Sequence, residues 1–195
     1  MMMAAGGRWL AGLTLAALLT GCQTLRRGDL LFHASQQSNH ITDVTPGMLD
    51  HVAIYLGDGL VVEALPRKGV TISELPVVLT REDGCCYRGR VQGADRRHST
   101  ERALRYRGLP YDSLYLEGND AVYCSELVVM SIVDSEGRRL LGQVPMTFRD
   151  STGRIGSYWQ QLYSRHGMRV PEGAPGSNPS ELAQRKGVII KKLKR

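Results

Sequence analysis

The apolar and polar positions along the chain predict several short strands joined by turn-rich segments. Helical spacing appears over residues 96–107 and 157–166, and a further apolar run follows Cys124. A chain of 195 residues can form one domain with a hydrophobic core. We therefore expect a single domain that contains both strands and helices. The predicted strands cover residues 30–32, 51–56, 60–64, 69–73, 87–91 and 188–190.

The clearest hairpin signal is a Gly-Asp-Gly turn between two apolar runs, with His51 in the first run and Glu63 in the second. The length of the turn decides where Glu63 points. A two-residue loop pairs Ile54 with Glu63, so that Glu63 faces away from His51. A three-residue loop pairs Ala53 with Glu63, and Glu63 then shares a face with His51. The sequence permits both registers.

The segment Tyr123–Val129 predicts a buried helix with a cysteine near its start. Asn119 and Asp120 lie just upstream, where an N-cap is expected, so we place Cys124 in the first helical turn. We expect the helix to end near Ser135. The unpaired N–H groups of a first turn favour a thiolate, which a cysteine nucleophile needs. The alternative is a small core cysteine, because free cysteine is among the most buried residue types.

The first 22 residues have the features of a targeting segment. Arg8 supplies a positive region, and Trp9–Leu19 is an apolar run too short to span a bilayer as a permanent helix. The Leu-Thr-Gly-Cys sequence that ends at Cys22 resembles the bacterial lipobox, in which the cysteine is diacylated and becomes the new N-terminus. The alternative is a plain secretory signal followed by a chance cysteine.

The lipobox resemblance implies a signal peptide at 1–21, a lipidated tether at 22–26 and a folded domain at 27–195. The membrane would then be a partner through the lipidated Cys22, which implies a location in the bacterial envelope. Gln23, rather than aspartate, follows that cysteine. By resemblance to enterobacterial sorting rules, this residue indicates the outer membrane, with the domain facing the periplasm.

Composition and charge limit the classes of molecule that we expect the protein to bind. The formal net charge of +6, which becomes +5 if Arg8 is removed, suits work near anionic lipid or polymer surfaces. The charges are spread and no recognition motif occurs, so we expect no nucleic-acid partner. We expect no cofactor and no metal, because His33 and His40 lie in a turn-rich loop without a second cluster of ligand spacing.

Three cysteines follow Cys22, namely Cys85, Cys86 and Cys124. In an oxidising compartment an odd number leaves at least one thiol free when disulfides form within a monomer. A bridge between adjacent cysteines is strained. The sequence therefore leaves the adjacent pair as bonded, free or partly oxidised.

Several separated motifs occur in an order that resembles a known family. They are Gly-Asp-Leu-Leu-Phe at 28–32, His-Val-Ala-Ile-Tyr-Leu-Gly-Asp-Gly at 51–59, Val-Glu-Ala at 62–64, Gly-Leu-Pro-Tyr-Asp at 108–112, Tyr-Cys-Ser-Glu-Leu-Val at 123–128 and Pro-Ser-Glu-Leu at 179–182. The strand motifs resemble the NlpC-type papain-fold cell-wall hydrolases. Ordinary members carry the cysteine motif before these strands, whereas here it follows them. This order resembles the circularly permuted branch of the YaeF/YiiX type.

The resemblance implies an α+β, papain-like core in which an antiparallel sheet packs against the helix that carries the nucleophilic cysteine. Cys124 would attack a carbonyl carbon, His51 would act as base and then as acid, and Glu63 would orient His51. The backbone N–H of Cys124 would form part of the oxyanion hole. Tyr111 or Tyr123 would assist the oxyanion or the substrate; the alternative is that both are packing aromatics.

The implied function is an envelope-anchored thiol hydrolase, and we expect a monomer. Its amide substrates would be peptidoglycan-type peptides first and N-acyl or lipid amides second, with acyl transfer as an alternative to hydrolysis. A different class is a non-catalytic lipoprotein that uses the pocket for binding, but the intact Cys124, His51 and Glu63 argue against it. A structural lipoprotein with a coincidental triad would have Glu63 pointing away from His51.

Overall fold

The computed structural model describes residues 25–35, 47–81, 85–150 and 152–193. The predicted signal peptide, the lipidation residue Cys22 and the loop residue His40 lie outside this part of the chain. Leu25 and Arg26 are the described residues of the predicted tether. In the described ranges, no helix combines the length and the apolar character needed to cross a membrane.

The described residues form short elements of both kinds. The strands are β1 (Leu30–Ala34), β2 (His51–Gly57), β3 (Leu60–Leu65), β4 (Gly69–Glu74), β5 (Cys85–Val91), β6 (Val144–Pro145), β7 (Pro175–Gly176) and β8 (Val188–Lys192). The helices are α1 (Leu75–Thr80), α2 (Arg96–Leu104), α3 (Cys124–Ser131), α4 (Ser157–Arg165) and α5 (Pro179–Gln184). Each strand predicted from the hydrophobic pattern is present, with its ends moved by a few residues.

Six of the strands form one antiparallel sheet. The order across the sheet is β4-β3-β2-β1-β5-β8, and every neighbouring pair runs antiparallel. The strands β6 and β7 form a separate two-stranded pair. The predicted α+β class with an antiparallel sheet is confirmed.

Strand β2 lies between two hydrophobic layers because its side chains alternate between the faces of the sheet. Val52 and Ile54 belong to the main core, together with Leu127 of α3. Ala53 and Tyr55 belong to a second layer that α1 and Leu25 cover. Leu127 is completely buried, and burial of such a side chain contributes roughly 1.5–3 kcal/mol. The cysteine helix is thus fastened to the centre of the sheet.

A third cluster consists of aromatic residues contributed by α4 and the loops before it. Trp159 and Phe148 meet edge to face, with ring centroids 5.0 Å apart. Tyr163 is fully buried and donates a hydrogen bond of 2.5 Å to the carbonyl of Leu114. This cluster holds the segments on either side of α3 in fixed positions.

Helix α3 differs from its prediction at both ends. Its N-cap is Tyr123, while Asn119 instead accepts a hydrogen bond from the Ala121 N–H in a local turn. The helix ends at Ser131 rather than near Ser135. Beyond that point Val133 bonds elsewhere: its N–H donates to the Ser99 hydroxyl, and its carbonyl accepts from Asp95. These contacts with the start of α2 take the place of further helical turns.

Candidate active site

The hairpin between β2 and β3 contains a β-bulge. Gly57 pairs with Leu60 across a two-residue turn, but Tyr55 already pairs with Val61. Leu56 is therefore an extra residue in β2. Gly57 has a φ of 97°, which glycine adopts without strain. The loop has two residues, as in the first register that the sequence permitted, but the strands beyond the bulge pair as in the second.

This register brings His51 and Glu63 together. Because Ile54 pairs with Val62, Glu63 follows on the same face as His51. The Nε2 atom of His51 lies 2.7 Å from the Oε2 atom of Glu63. Glu63 is completely buried, and the side chain of His51 is 15% exposed. A coincidental triad would have the Glu63 carboxylate pointing away from His51, whereas in the hairpin it points toward His51.

Cys124 is the first residue of α3, and it is 5% exposed. Its side chain lies close enough to His51 to raise the pKa of the imidazole. Because Glu63 occupies Nε2 of the ring, Nδ1 is the ring nitrogen left to interact with the sulfur. A thiol, an imidazole and a carboxylate therefore lie together at the N-terminus of a buried helix.

The surroundings favour a protonated His51. Burial alone would lower the pKa of the imidazole, but hydrogen bonds and charge interactions with Cys124 and Glu63 outweigh it and raise the pKa to about 9. At neutral pH the ring therefore carries a positive charge between the sulfur and the carboxylate.

Arg81, directly after α1, is a site residue that the sequence analysis missed. Its guanidinium donates two hydrogen bonds to Glu63, Nη1 to Oε2 and Nη2 to Oε1, each 2.8 Å long. Burial would raise the pKa of Glu63, but the bonds from Arg81 and His51 hold it well below its usual range. A signal existed: the short apolar segment that covers the face of Glu63 ends at an arginine, and a buried carboxylate needs a cation.

Tyr123 anchors the start of the cysteine helix. Its hydroxyl accepts a hydrogen bond of 3.1 Å from the N–H of Ser177 and contacts the sulfur of Met146 at 3.9 Å. Ser125, two residues further along, donates to the carbonyl of Ser177 at 3.0 Å. These contacts give Tyr123 a role in fixing α3 against the Ser177 segment, as in the packing alternative of the sequence analysis.

Tyr111 is a second tyrosine near the cysteine. Its side chain lines the cavity beside Cys124, together with that of Tyr115. Burial, together with the charges of Tyr115 and Cys124, raises the pKa of Tyr111 well above its ordinary value. The phenol is therefore neutral at physiological pH, and a neutral hydroxyl can donate a hydrogen bond to a developing oxyanion.

The cavity beside Cys124 has a volume of about 50 Å³, enough for a few water molecules. One part of its wall is polar and comes from Asp50, Ser125, Ser177 and Asn178. The rest is mainly aromatic or thioether surface, from Tyr111, Tyr115, Tyr123, Met146, Phe148 and Trp159. The cavity can therefore accept a narrow apolar group next to a reactive carbonyl.

Glu126 is a second buried carboxyl group near the cysteine. Burial, together with the charges of Asp112 and Glu117, raises its pKa to about 7 against the opposing hydrogen bond from the Tyr123 N–H. The Oε2 atom of Glu126 accepts that bond at 3.3 Å. Glu126 thus caps the first turn of α3 and changes charge near neutral pH.

Among the described residues, Cys85, Cys86 and Cys124 are free cysteines. Cys86 is buried, and its sulfur lies 3.8 Å from the carbonyls of Val78 and Leu79. In the ranges that the structure describes, no group of three or more His, Cys, Asp or Glu residues could hold a metal ion.

Comparisons with known proteins identify the family and support the fold. The family model of permuted papain-like amidase enzymes, YaeF/YiiX, C92 family, matches residues 24–186. Among solved structures, the chain is similar to the crystal structure described as metalloprotein yiiX from Escherichia coli O157:H7, with a TM-score of 0.70 and 21% sequence identity. The match covers 87% of this chain and 97% of that chain. No curated protein matches the sequence. The structural neighbour supports the fold, and the resemblance deduced from the motifs is confirmed.

Proposed function

This chain belongs to the YaeF/YiiX, C92 family of permuted papain-like amidases, and from that premise we propose that it is an envelope-anchored cysteine amidase with a Cys124–His51–Glu63 triad. The observation that carries the proposal is the position of His51, which bonds to Glu63 at 2.7 Å and lies beside Cys124, whose side chain helps to raise the pKa of the imidazole. A binding lipoprotein would have no need of this arrangement of thiol, imidazole and carboxylate.

The triad supports acyl transfer in two steps. The thiol proton of Cys124 passes to His51 before the attack, and the resulting thiolate attacks the amide carbonyl carbon. The tetrahedral oxyanion is stabilised by the backbone N–H of Cys124 and by the Tyr111 hydroxyl. As the C–N bond breaks, His51 protonates the leaving amine, which leaves a thioester on Cys124. His51 then removes a proton from water, the hydroxide attacks the thioester, and the carboxylic acid and free thiol are released. An alcohol or amine in place of water would give acyl transfer.

Two substrate classes follow from different observations. Peptidoglycan-type peptides come first, because the strand motifs resemble those of cell-wall hydrolases. N-acyl or lipid amides come second, and the aromatic wall formed by Tyr111, Phe148 and Trp159 favours them, since it would bury an apolar acyl group.

The membrane anchor is part of the proposal. Diacylation of Cys22 would place the domain at the outer membrane, facing the periplasm. Incorporation of a fatty-acid analogue into the wild-type chain, and not into Cys22→Ala, would support the anchor. Equal incorporation by both would rule out this lipidation site.

The test of catalysis begins with alkylation of Cys124 by iodoacetamide across pH, resolved from Cys85 and Cys86 by peptide mass spectrometry. We expect rapid alkylation well below pH 8.5, the approximate pKa of a free thiol, and a strong loss of rate in His51→Ala. Cys124→Ala identifies the labelled peptide. Screening of muropeptides against N-acyl amides then decides between the substrate classes. The catalytic proposal would be contradicted if alkylation of Cys124 were slow, occurred only at high pH and were unchanged in His51→Ala.

A further inference from the structure

The carboxylate of Glu63 is held from two sides. Its Oε2 atom accepts hydrogen bonds both from His51, at 2.7 Å, and from Arg81, at 2.8 Å. Its Oε1 atom accepts the second bond of Arg81, also at 2.8 Å. One bond from the imidazole would leave the carboxylate free to rotate about its last torsion, whereas the two-pronged guanidinium contact fixes its plane.

Arg81 is itself fixed to the sheet. Its carbonyl lies 2.8 Å from the Nε2 atom of His33, and the Nδ1 atom of the same ring lies 3.5 Å from Asp50. Asp50 precedes His51 and borders the cavity beside Cys124. The contacts of Arg81 therefore return to the strand that carries the imidazole.

We propose that Arg81 is a positioning residue of this catalytic centre, which holds the Glu63 carboxylate in the one orientation that directs Oε2 at His51. The inference rests on the proposed function, because it assigns Arg81 a role in the same triad. The guanidinium supplies two things at once: a charge that keeps the buried carboxylate ionised, and a planar fork that sets its direction. A lysine would supply the charge without the fork.

The same sheet offers a matched control. Arg90 donates two bonds to Asp29, Nε to Oδ1 at 2.7 Å and Nη2 to Oδ2 at 2.6 Å. The side-chain exposures of this pair are 23% and 1%, against 23% and 0% for Arg81 and Glu63. Both pairs are forked contacts with a buried carboxylate, but Asp29 has no contact with the triad among the described hydrogen bonds. Loss of Arg90 thus reports the structural cost of removing such a pair.

The experiment compares the full chain, in detergent, as wild type, Arg81→Met, Arg81→Lys, Arg90→Met and His51→Ala. The probe is iodoacetamide at neutral pH, with the rate at Cys124 measured by peptide mass spectrometry and the melting temperature measured in parallel. We expect Arg81→Met to slow alkylation roughly tenfold, by analogy with the loss of a residue that orients a metal-binding histidine. Arg81→Lys should lie between it and wild type, and millimolar guanidinium chloride should restore part of the lost rate.

Arg90→Met should lower the melting temperature by a similar amount and leave the rate at Cys124 unchanged. Equal rates in Arg81→Met and Arg90→Met would overturn the inference while leaving the triad intact. If Arg81→Met does not fold, Arg81→Lys decides: a wild-type rate refutes the positioning role, and a reduced rate at an unchanged melting temperature supports it. A wild-type rate in His51→Ala would instead refute the proposed function, and this inference with it.

Discussion

His51 and Glu63 face each other because β2 carries one residue more than β3 before the turn. The extra residue, Leu56, shifts the pairing so that Ile54 lies opposite Val62. Without it, Ile54 would lie opposite Glu63, and the carboxylate would point to the other side of the sheet. The distance of 2.7 Å between the imidazole and the carboxylate therefore depends on the bulge.

Replacement of Glu63 by glutamine tests what the carboxylate does to the ring. Glu63→Gln keeps the size of the side chain but removes the charge that, with Cys124, raises the pKa of His51 to about 9. We expect that pKa to fall by about one unit or more, because an opposite charge in contact favours the protonated imidazole. NMR titration of the imidazole resonances measures the shift, with His51→Ala used to assign them.

Glu101 provides the comparison for this variant. It pairs with Arg97 on an exposed helical surface, so Glu101→Gln should leave the His51 titration where it is. If the pKa of His51 were the same in Glu63→Gln as in wild type, the carboxylate would not contribute to the raised pKa of the ring.

Much of this site could be predicted from the sequence. The hairpin signal and the apolar run after Cys124 correctly indicated a strand and a helix, since both depend on local periodicity. The choice between two hairpin registers could not be made, because a bulge at Leu56 depends on how β2 packs against both of its neighbours.

Arg81 could not be found in the same way. It lies 18 residues from Glu63 in sequence, and only the folded chain brings the guanidinium onto the carboxylate. The C-terminal end of α3 was predicted too far along the chain for a related reason. Ser99 and Asp95, which belong to a different segment, form hydrogen bonds with Val133, and the helix propensity of residues 124–135 gives no information about these contacts.

Glu126 predicts how stability changes with pH. Its pKa is raised from 4.5 to about 7 in the folded protein. The folded state therefore binds this proton more tightly than the unfolded chain, so the stabilisation is complete below pH 4.5 and is lost as the pH rises through 7. Glu126→Gln should raise the free energy of unfolding at pH 8 by up to about 3 kcal/mol relative to wild type, and should give no gain at pH 4.

Urea denaturation at the two pH values measures this difference. Glu136, whose side chain is 67% exposed, supplies the control, since Glu136→Gln should change stability little at either pH. An equal effect of Glu126→Gln at pH 4 and pH 8 would mean that its protonation is not linked to folding.

Removal of the hydroxyl group should have different effects at Tyr111 and at Tyr123. Tyr111→Phe removes a donor beside Cys124, and we expect turnover per folded molecule to fall about tenfold or more. Tyr123→Phe leaves the buried N–H of Ser177 unpaired, which should cost about 1–3 kcal/mol of stability with a smaller change in turnover. Turnover corrected for the folded fraction distinguishes the two, and the reverse pattern would assign the oxyanion role to Tyr123.

Gly69 fixes the loop that carries Tyr111, and its replacement tests that connection. Both Gly69 and Gly93 have a positive φ, so alanine at either position should cost roughly 1–2 kcal/mol from backbone strain alone. A Cβ at Gly69 would also collide with the carbonyl of Leu109, which accepts a hydrogen bond from Val70, whereas a Cβ at Gly93 would meet nothing within 4 Å. Gly69→Ala should therefore be the more destabilising in urea by roughly 1–3 kcal/mol. It should also slow turnover per folded molecule, because the collision can be relieved only by moving the Leu109 backbone and with it Tyr111. If both variants lost the same free energy of unfolding, the Leu109 backbone would move to accept the Cβ at Gly69 without destabilising the protein.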